Sequence, residues 1–182
     1  MKNLKDKVIV ITGGATGIGF ALAKNFGSQG AKVIIGEPRM EKLEEAFKSL
    51  SDLGIKANYT SLDVTDLKSV ENFAKFSYDC FGNVDILINN AGISAGQGQI
   101  YKANIEDARK VFDVNFFGVW HGCAVFSKIM ISRGSKAAIY NLGSENSLFV
   151  AVPKSIAYVA SKHAVLALSE SLRDDLPDFI HV

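Results

Sequence analysis

The sequence predicts an α/β domain with a doubly wound parallel sheet, three layers deep as α/β/α. Three observations carry that expectation. Short, uniformly apolar, β-branched runs recur along the chain. Amphipathic stretches with apolar residues three and four apart separate them. A glycine cluster joins the first such run to the first such stretch, at the edge where an open α/β sheet receives ligands.

KVIVI (7–11) reads as a strand buried on both faces, and ITGGATGIG (11–19) leads from it into the helical pattern FALAKNFGSQ (20–29). AKVIIG (31–36) and MEKLEEAFKSLSDL (40–53) repeat the pair. IKANYT (55–60) and LKSVENFAKFSYDCF (67–81) follow, then VDILIN (84–89) with a long helix from about Ile105 to Ile131. KAAIYNL (136–142) precedes a last helix from about Ser155 to Leu176. Pro153 and Pro177 fall outside the helical patterns, as helix punctuation does. DFIHV (178–182) reads as the entry to a sixth strand that is cut off. Strict alternation of strand and helix argues for a parallel sheet with right-handed crossovers. With no linker, repeat or low-complexity tract, residues 1–182 are expected to form a single dinucleotide-binding domain, incomplete at its carboxyl end.

Lys and Arg total 20 against 19 Asp and Glu, a net charge of +1, so nothing draws the chain toward nucleic acid or an anionic membrane. A small molecule is the expected partner. Cys80 and Cys123 lie far apart and in no metal-ligand spacing, and read as buried free thiols of a reducing compartment. His121, His163 and His181 form no ligand spacing either, so no metal is expected. The apolar run Val8 to Ile11 is too short for a signal peptide, and no segment is read as a membrane span. The expected location is cytoplasmic.

Gly13, Gly17 and Gly19 fall at the first strand-to-helix turn, where glycine permits positive φ and lets a phosphate approach the backbone. The helix that follows offers free N–H groups and a positive dipole end to a pyrophosphate. Glu37 lies 18 residues beyond Gly19, near the offset expected of an acid that binds the adenosine ribose. A carboxylate there favours NAD over NADP; Arg39 argues the other way, since it can pair with a 2′-phosphate. Tyr158 and Lys162, four apart on the last helix, share one face. A cation beside a phenol favours the phenolate, which can then exchange a proton near neutral pH.

T-G-x-x-x-G-x-G at 12–19, NNAG at 89–92, DVNFFGVW at 113–120 and Y-x-x-x-K at 158–162 resemble, in order and spacing, the short-chain dehydrogenase/reductase family. The resemblance spans essentially the whole chain. It implies a Rossmann-like fold and an NAD(P)-dependent oxidoreductase that moves a hydride between nicotinamide and a secondary alcohol or ketone. It implies a cofactor site of Gly13, Gly17, Ile18, Gly19, Glu37, Asp63, Val64 and Asn90, with Tyr158 and Lys162. Asp63 would take the adenine amino group and the Val64 N–H a ring nitrogen, although Asp63 or Thr65 can equally cap the helix beginning near Asp66. Asn90 would lie where the adenosine ribose passes, or tie neighbouring strands together.

In the catalytic set that the resemblance implies, Tyr158 carries the proton. Lys162 supports it and holds the nicotinamide ribose. Ser144 polarises the substrate carbonyl, and Asn115 holds a water that links the lysine to solvent. Ser144 precedes Tyr158 by 14 residues, one more than the usual gap, which would land on Glu145. The extra residue falls between Ser144 and Pro153, with Ser147 as a second candidate. Phe149, Val150 and Val152 suggest an apolar substrate wall. Similar proteins continue beyond Val182 with a lid, a nicotinamide contact and a seventh strand, and form dimers or tetramers. An alternative therefore stands beside the enzyme: a nucleotide-binding or assembly module without turnover.

Overall fold

A computed structural model describes residues 4–95, 98–148 and 152–182. Phe149 and Val150 of the expected apolar wall lie outside the described residues. Six parallel strands form one sheet in the order β3-β2-β1-β4-β5-β6. They are β1 (Val8–Thr12), β2 (Lys32–Glu37), β3 (Ala57–Ser61), β4 (Ile86–Asn89), β5 (Ala137–Asn141) and β6 (Ile180–His181). The expected entry to a sixth strand pairs with β5, Ala137 opposite Ile180 and Ala138 opposite His181.

Alternate residues of the central strands enter two separate cores. Val8, Val10, Ile34, Leu87 and Ile139 pack with α3 (Leu67–Phe81), α5 (Gly118–Arg133) and α6 (Ile156–Asp175) on one face. Ile9, Ile11, Val33, Ile35, Ile86 and Ile88 pack with α1 (Gly17–Ser28) and α2 (Met40–Asp52) on the other. Burial on both faces is why these strands are uniformly apolar and do not alternate. The three-layer expectation holds.

The reading of one helix from 105 to 131 is corrected. The segment holds α4 (Ile105–Phe112), a π-helical turn at Asp113–Phe117 and then α5, which runs on to Arg133. By length and composition this stretch is apolar enough to cross a membrane, which the sequence reading did not credit. In the fold, Val111, Val119, Phe126 and Met130 belong to the buried core.

The two halves of the sheet diverge between β1 and β4, since β1 connects outward to β2 while β4 connects outward to β5. Such a switch point opens a crevice beyond the carboxyl ends of the strands.

Candidate active site

A cleft of about 750 Å³ occupies that crevice. Its wall includes Gly13, Gly17 and Ile18 after β1, Glu37 at the end of β2, Asp63 and Val64 after β3, and Asn90 after β4. Leu142 and Gly143 follow β5, and Tyr158 and Lys162 come from the first turns of α6. All but three of the residues expected at the site therefore meet in one cavity. Gly19, Asn115 and Ser144 do not line it.

Gly13 and Gly17 adopt positive φ, +63° and +54°. A Cβ on Gly17 would meet nothing within 4 Å, so its backbone borders open space. A Cβ on Gly19 would lie 2.2 Å from the Gly13 carbonyl oxygen and 2.5 Å from Asn90 Nδ2. Gly17 thus keeps the approach to the backbone open, while Gly19 lets the turn close on itself. Thr16, the N-cap of α1, makes no side-chain capping bond. The first N–H groups of the helix are accordingly not taken up by the Thr16 side chain.

Asn90 Nδ2 donates to the carbonyls of Thr12 and Gly13, both at 2.9 Å, and ties the ends of β4 and β1 together. The Thr12 hydroxyl accepts from the N–H groups of Asn90 and Ala91, each at 3.0 Å. Asn90 lines the cleft while serving as this tie, so the two readings of it coincide.

Glu37 is buried and its Oε1 accepts from Arg39 Nε at 2.5 Å, while the Arg39 side chain is 54% exposed. The acid and the cation that point to different dinucleotides are thus one ion pair on the cleft wall. Asp63 Oδ1 accepts from the N–H and hydroxyl of Thr65, at 2.9 and 2.7 Å. The helix cap expected of Asp63 or Thr65 is instead Asp66, whose carboxylate accepts from the Lys68 N–H at 2.9 Å.

Lys162 is 5% exposed, and its Nζ donates to the Leu142 carbonyl at 2.7 Å. The same Nζ lies 5.9 Å from the centre of the Tyr158 ring. Burial pulls the pKa of this lysine down, because an ammonium loses hydration there.

Asn115 is fully buried in the π-helical turn. Its Oδ1 accepts from the Ile93 N–H at 2.8 Å, and its Nδ2 donates to the Ile93 carbonyl at 2.9 Å and to Ser161 Oγ at 3.1 Å. Both amide N–H groups and the oxygen are engaged by protein. The side chain is therefore a clamp between the segment after β4 and α6. A Cβ on Gly92 would sit 3.4 Å from Asn115 Oδ1 and 3.7 Å from Lys162 Nζ, in ordinary contact with both, so this backbone lies directly beside them.

Ser144 caps a short 3-10 turn at Glu145–Ser147. Its hydroxyl accepts from the Asn146 N–H at 3.2 Å, and its own N–H donates to Ser147 Oγ at 3.1 Å. Ser147, the second candidate, is buried in that capping box. At this point the cleft wall is Leu142 and Gly143.

Lys110, Leu142 and Ser161 belong to the site or its support but were not singled out in the sequence. The Leu142 contribution is a main-chain carbonyl, which no sequence pattern marks. Among the described residues no three of His, Cys, Asp and Glu gather as a metal would need.

The residues present fit a dinucleotide. An unobstructed glycine turn, two acids at adjacent strand ends and a buried lysine line one cavity.

Relatives and solved structures agree with that geometry. The chain is 35% identical to 1-deoxy-11-beta-hydroxypentalenate dehydrogenase of Streptomyces exfoliatus, over 96% of this chain and 63% of that one. It is 34% identical to a short chain aldehyde dehydrogenase of Euphorbia lathyris, over 96% and 60%. Among solved structures, a short chain dehydrogenase/reductase from Burkholderia phymatum in complex with NAD superposes with a TM-score of 0.95. It is 34% identical, and the match covers 100% of this chain and 65% of that one. The chain thus spans less than two thirds of the length of these relatives. A family model described as short chain dehydrogenase matches residues 7–182, and the chain belongs to that family.

Proposed function

We propose that this site transfers a hydride between NAD and a secondary alcohol or ketone, with Tyr158 as the acid/base. The observation that carries the reading is convergence: Tyr158 and Lys162 line the same cleft as the glycine turn, Glu37 and Asp63. The relative solved with NAD supports the choice of dinucleotide.

The glycine turn and the start of α1 receive the pyrophosphate through main-chain N–H groups. Glu37 accepts from the adenosine ribose hydroxyls, and Asp63 with the Val64 N–H reads the adenine edge. NAD supplies a hydride acceptor at C4 of its nicotinamide ring. In the oxidative direction Tyr158 Oη takes the proton of the substrate hydroxyl as the carbinol carbon gives up hydride, and the carbonyl forms. The Lys162 ammonium, held by the Leu142 carbonyl, favours the phenolate and donates to the nicotinamide ribose. Ser144 stabilises the substrate oxygen if its hydroxyl turns from its cap toward the cleft. Both cysteines are free, consistent with a cytoplasmic setting. Phe117, at the end of the π-helical turn, and Trp120 on α5 are both exposed and are the surface we assign to homo-oligomer formation.

The test is Tyr158→Phe in the whole protein. Turnover is expected to vanish while NADH binding, followed by fluorescence, persists. Equal turnover in variant and parent would sink the assignment. NADH binding by the parent without turnover of any alcohol or ketone is what the module reading predicts.

A further inference from the structure

One buried hydroxyl at the site has no role in that reading. Ser161 is 0% exposed and precedes Lys162 directly. Its Oγ donates to the Tyr158 carbonyl at 2.7 Å and accepts from Asn115 Nδ2 at 3.1 Å. Asn115 in turn grips the N–H and carbonyl of Ile93. An unbroken chain of bonds therefore runs from the segment after β4, through the π-helical turn, into the main chain of Tyr158.

Apolar packing does little to set the start of α6. Ile156 is 49% exposed, and the first apolar residue of the helix to be buried is Val159. Apolar contact is also non-directional, whereas a buried hydrogen bond tolerates little misalignment and its loss strands a polar group. The rotation of the first turn about the helix axis decides whether Tyr158 and Lys162 both reach the cleft.

We propose that Ser161 is a positioning residue: its hydroxyl couples the Asn115 clamp to the Tyr158 main chain and fixes the setting of α6 at which Tyr158 and Lys162 share the cleft. This rests on the oxidoreductase reading of the site. Ser161 touches no reactant and acts only through its two neighbours.

The same helix carries an internal control. Ser169 Oγ donates to the Val165 carbonyl at 2.8 Å and accepts from Asn141 Nδ2 at 2.9 Å. Like Ser161 it joins an asparagine amide to a main-chain carbonyl of α6, four residues back and not three, but it lies about two helical turns further on and does not line the cleft.

The experiment compares parent, Ser161→Ala and Ser169→Ala in the whole protein, with NAD and 2-butanol, 2-octanol, cyclohexanol and xylitol as probes. Ser161→Ala is expected to lower kcat about 10- to 100-fold, the scale of a small misplacement of catalytic groups. NADH affinity stays within about threefold, because the glycine turn is untouched. The alcohol KM also stays within about threefold, so the loss falls on kcat. Ser169→Ala lowers the thermal midpoint but leaves kcat unchanged. Equal kcat losses in the two variants, or none in Ser161→Ala, overturn the positioning role alone. No turnover by the parent on any probe overturns the oxidoreductase reading and the role with it.

Discussion

Replacing Gly19 with alanine puts a methyl group into a space that the structure has already filled. The new Cβ would lie 2.2 Å from the Gly13 carbonyl oxygen and 2.5 Å from Asn90 Nδ2, where ordinary contact begins at 3.4 Å. Neither neighbour can yield cheaply. The Gly13 N–H is anchored to the Gly36 carbonyl at 2.7 Å, and Asn90 Nδ2 is bonded to Thr12 and Gly13. Overpacking of this kind costs about 1–3 kcal/mol, and breaking one Asn90 bond adds about 1 kcal/mol. A total near 3 kcal/mol corresponds to a fall in Tm of about 6–12 °C for a chain of this size. The displaced turn also no longer presents its N–H groups to a pyrophosphate, so NADH affinity falls by at least about tenfold. Gly17→Ala separates the two effects. Its Cβ meets nothing, so only the strain of a left-handed φ applies, about 1 kcal/mol. Circular dichroism melts and NADH fluorescence titrations check both variants. A Gly19→Ala protein with the parent Tm and the parent affinity would refute the close-approach argument.

Two further perturbations probe opposite ends of the sheet. Glu37→Ala releases Arg39 from its partner and removes the acid that repels a 2′-phosphate, so the affinity ratio of NADPH to NADH is expected to rise at least about tenfold; paired titrations read it directly. Asp85 lies at the other end, where burial alone would raise its pKa. The Val8 N–H at 2.9 Å, Lys7 and Arg133 outweigh that burial and hold its pKa below the usual value. A carboxylate depressed in the folded state stabilises the protein at neutral pH, and that contribution fades as pH falls from about 4 toward the folded pKa. Asp85→Asn should therefore unfold at lower urea than the parent at pH 7, by about 1–3 kcal/mol. The gap should narrow toward pH 3, and a gap that widens on acidification would contradict the assignment.

The sequence makes the strands and the glycine turn legible because both are consequences of burial and backbone geometry. A strand covered on both faces must be uniformly apolar, and Val8–Ile11, Val33–Ile35 and Ile86–Leu87 are. Tyr158 and Lys162 are legible because helical spacing alone places them on one face. The π-helical turn at Asp113–Phe117 is not, since one extra residue per turn barely disturbs an apolar pattern that continues on both sides. The roles of Asn115 and Ser161 depend on which elements that turn brings together, and so on tertiary contacts 22 to 46 residues apart. Ser144 shows the same limit at short range. Its position after β5 follows from the strand, but its capping bond to Asn146 depends on a 3-10 turn whose polar residues read equally well as a loop. The pairing of Glu37 with Arg39 had both partners visible in sequence, yet only the geometry turns two opposing cofactor signals into one ion pair.

The central claim is that a hydride leaves the substrate carbon while Tyr158 takes the hydroxyl proton. Its most direct test uses the whole protein, NAD and 2-octanol or cyclohexanol deuterated at the carbinol carbon, with mass spectrometry of the recovered cofactor. The account predicts one deuterium on the reduced nicotinamide with the parent and none with Tyr158→Phe, while that variant still quenches or shifts NADH fluorescence. Deuterium transfer at the parent rate by Tyr158→Phe would contradict it.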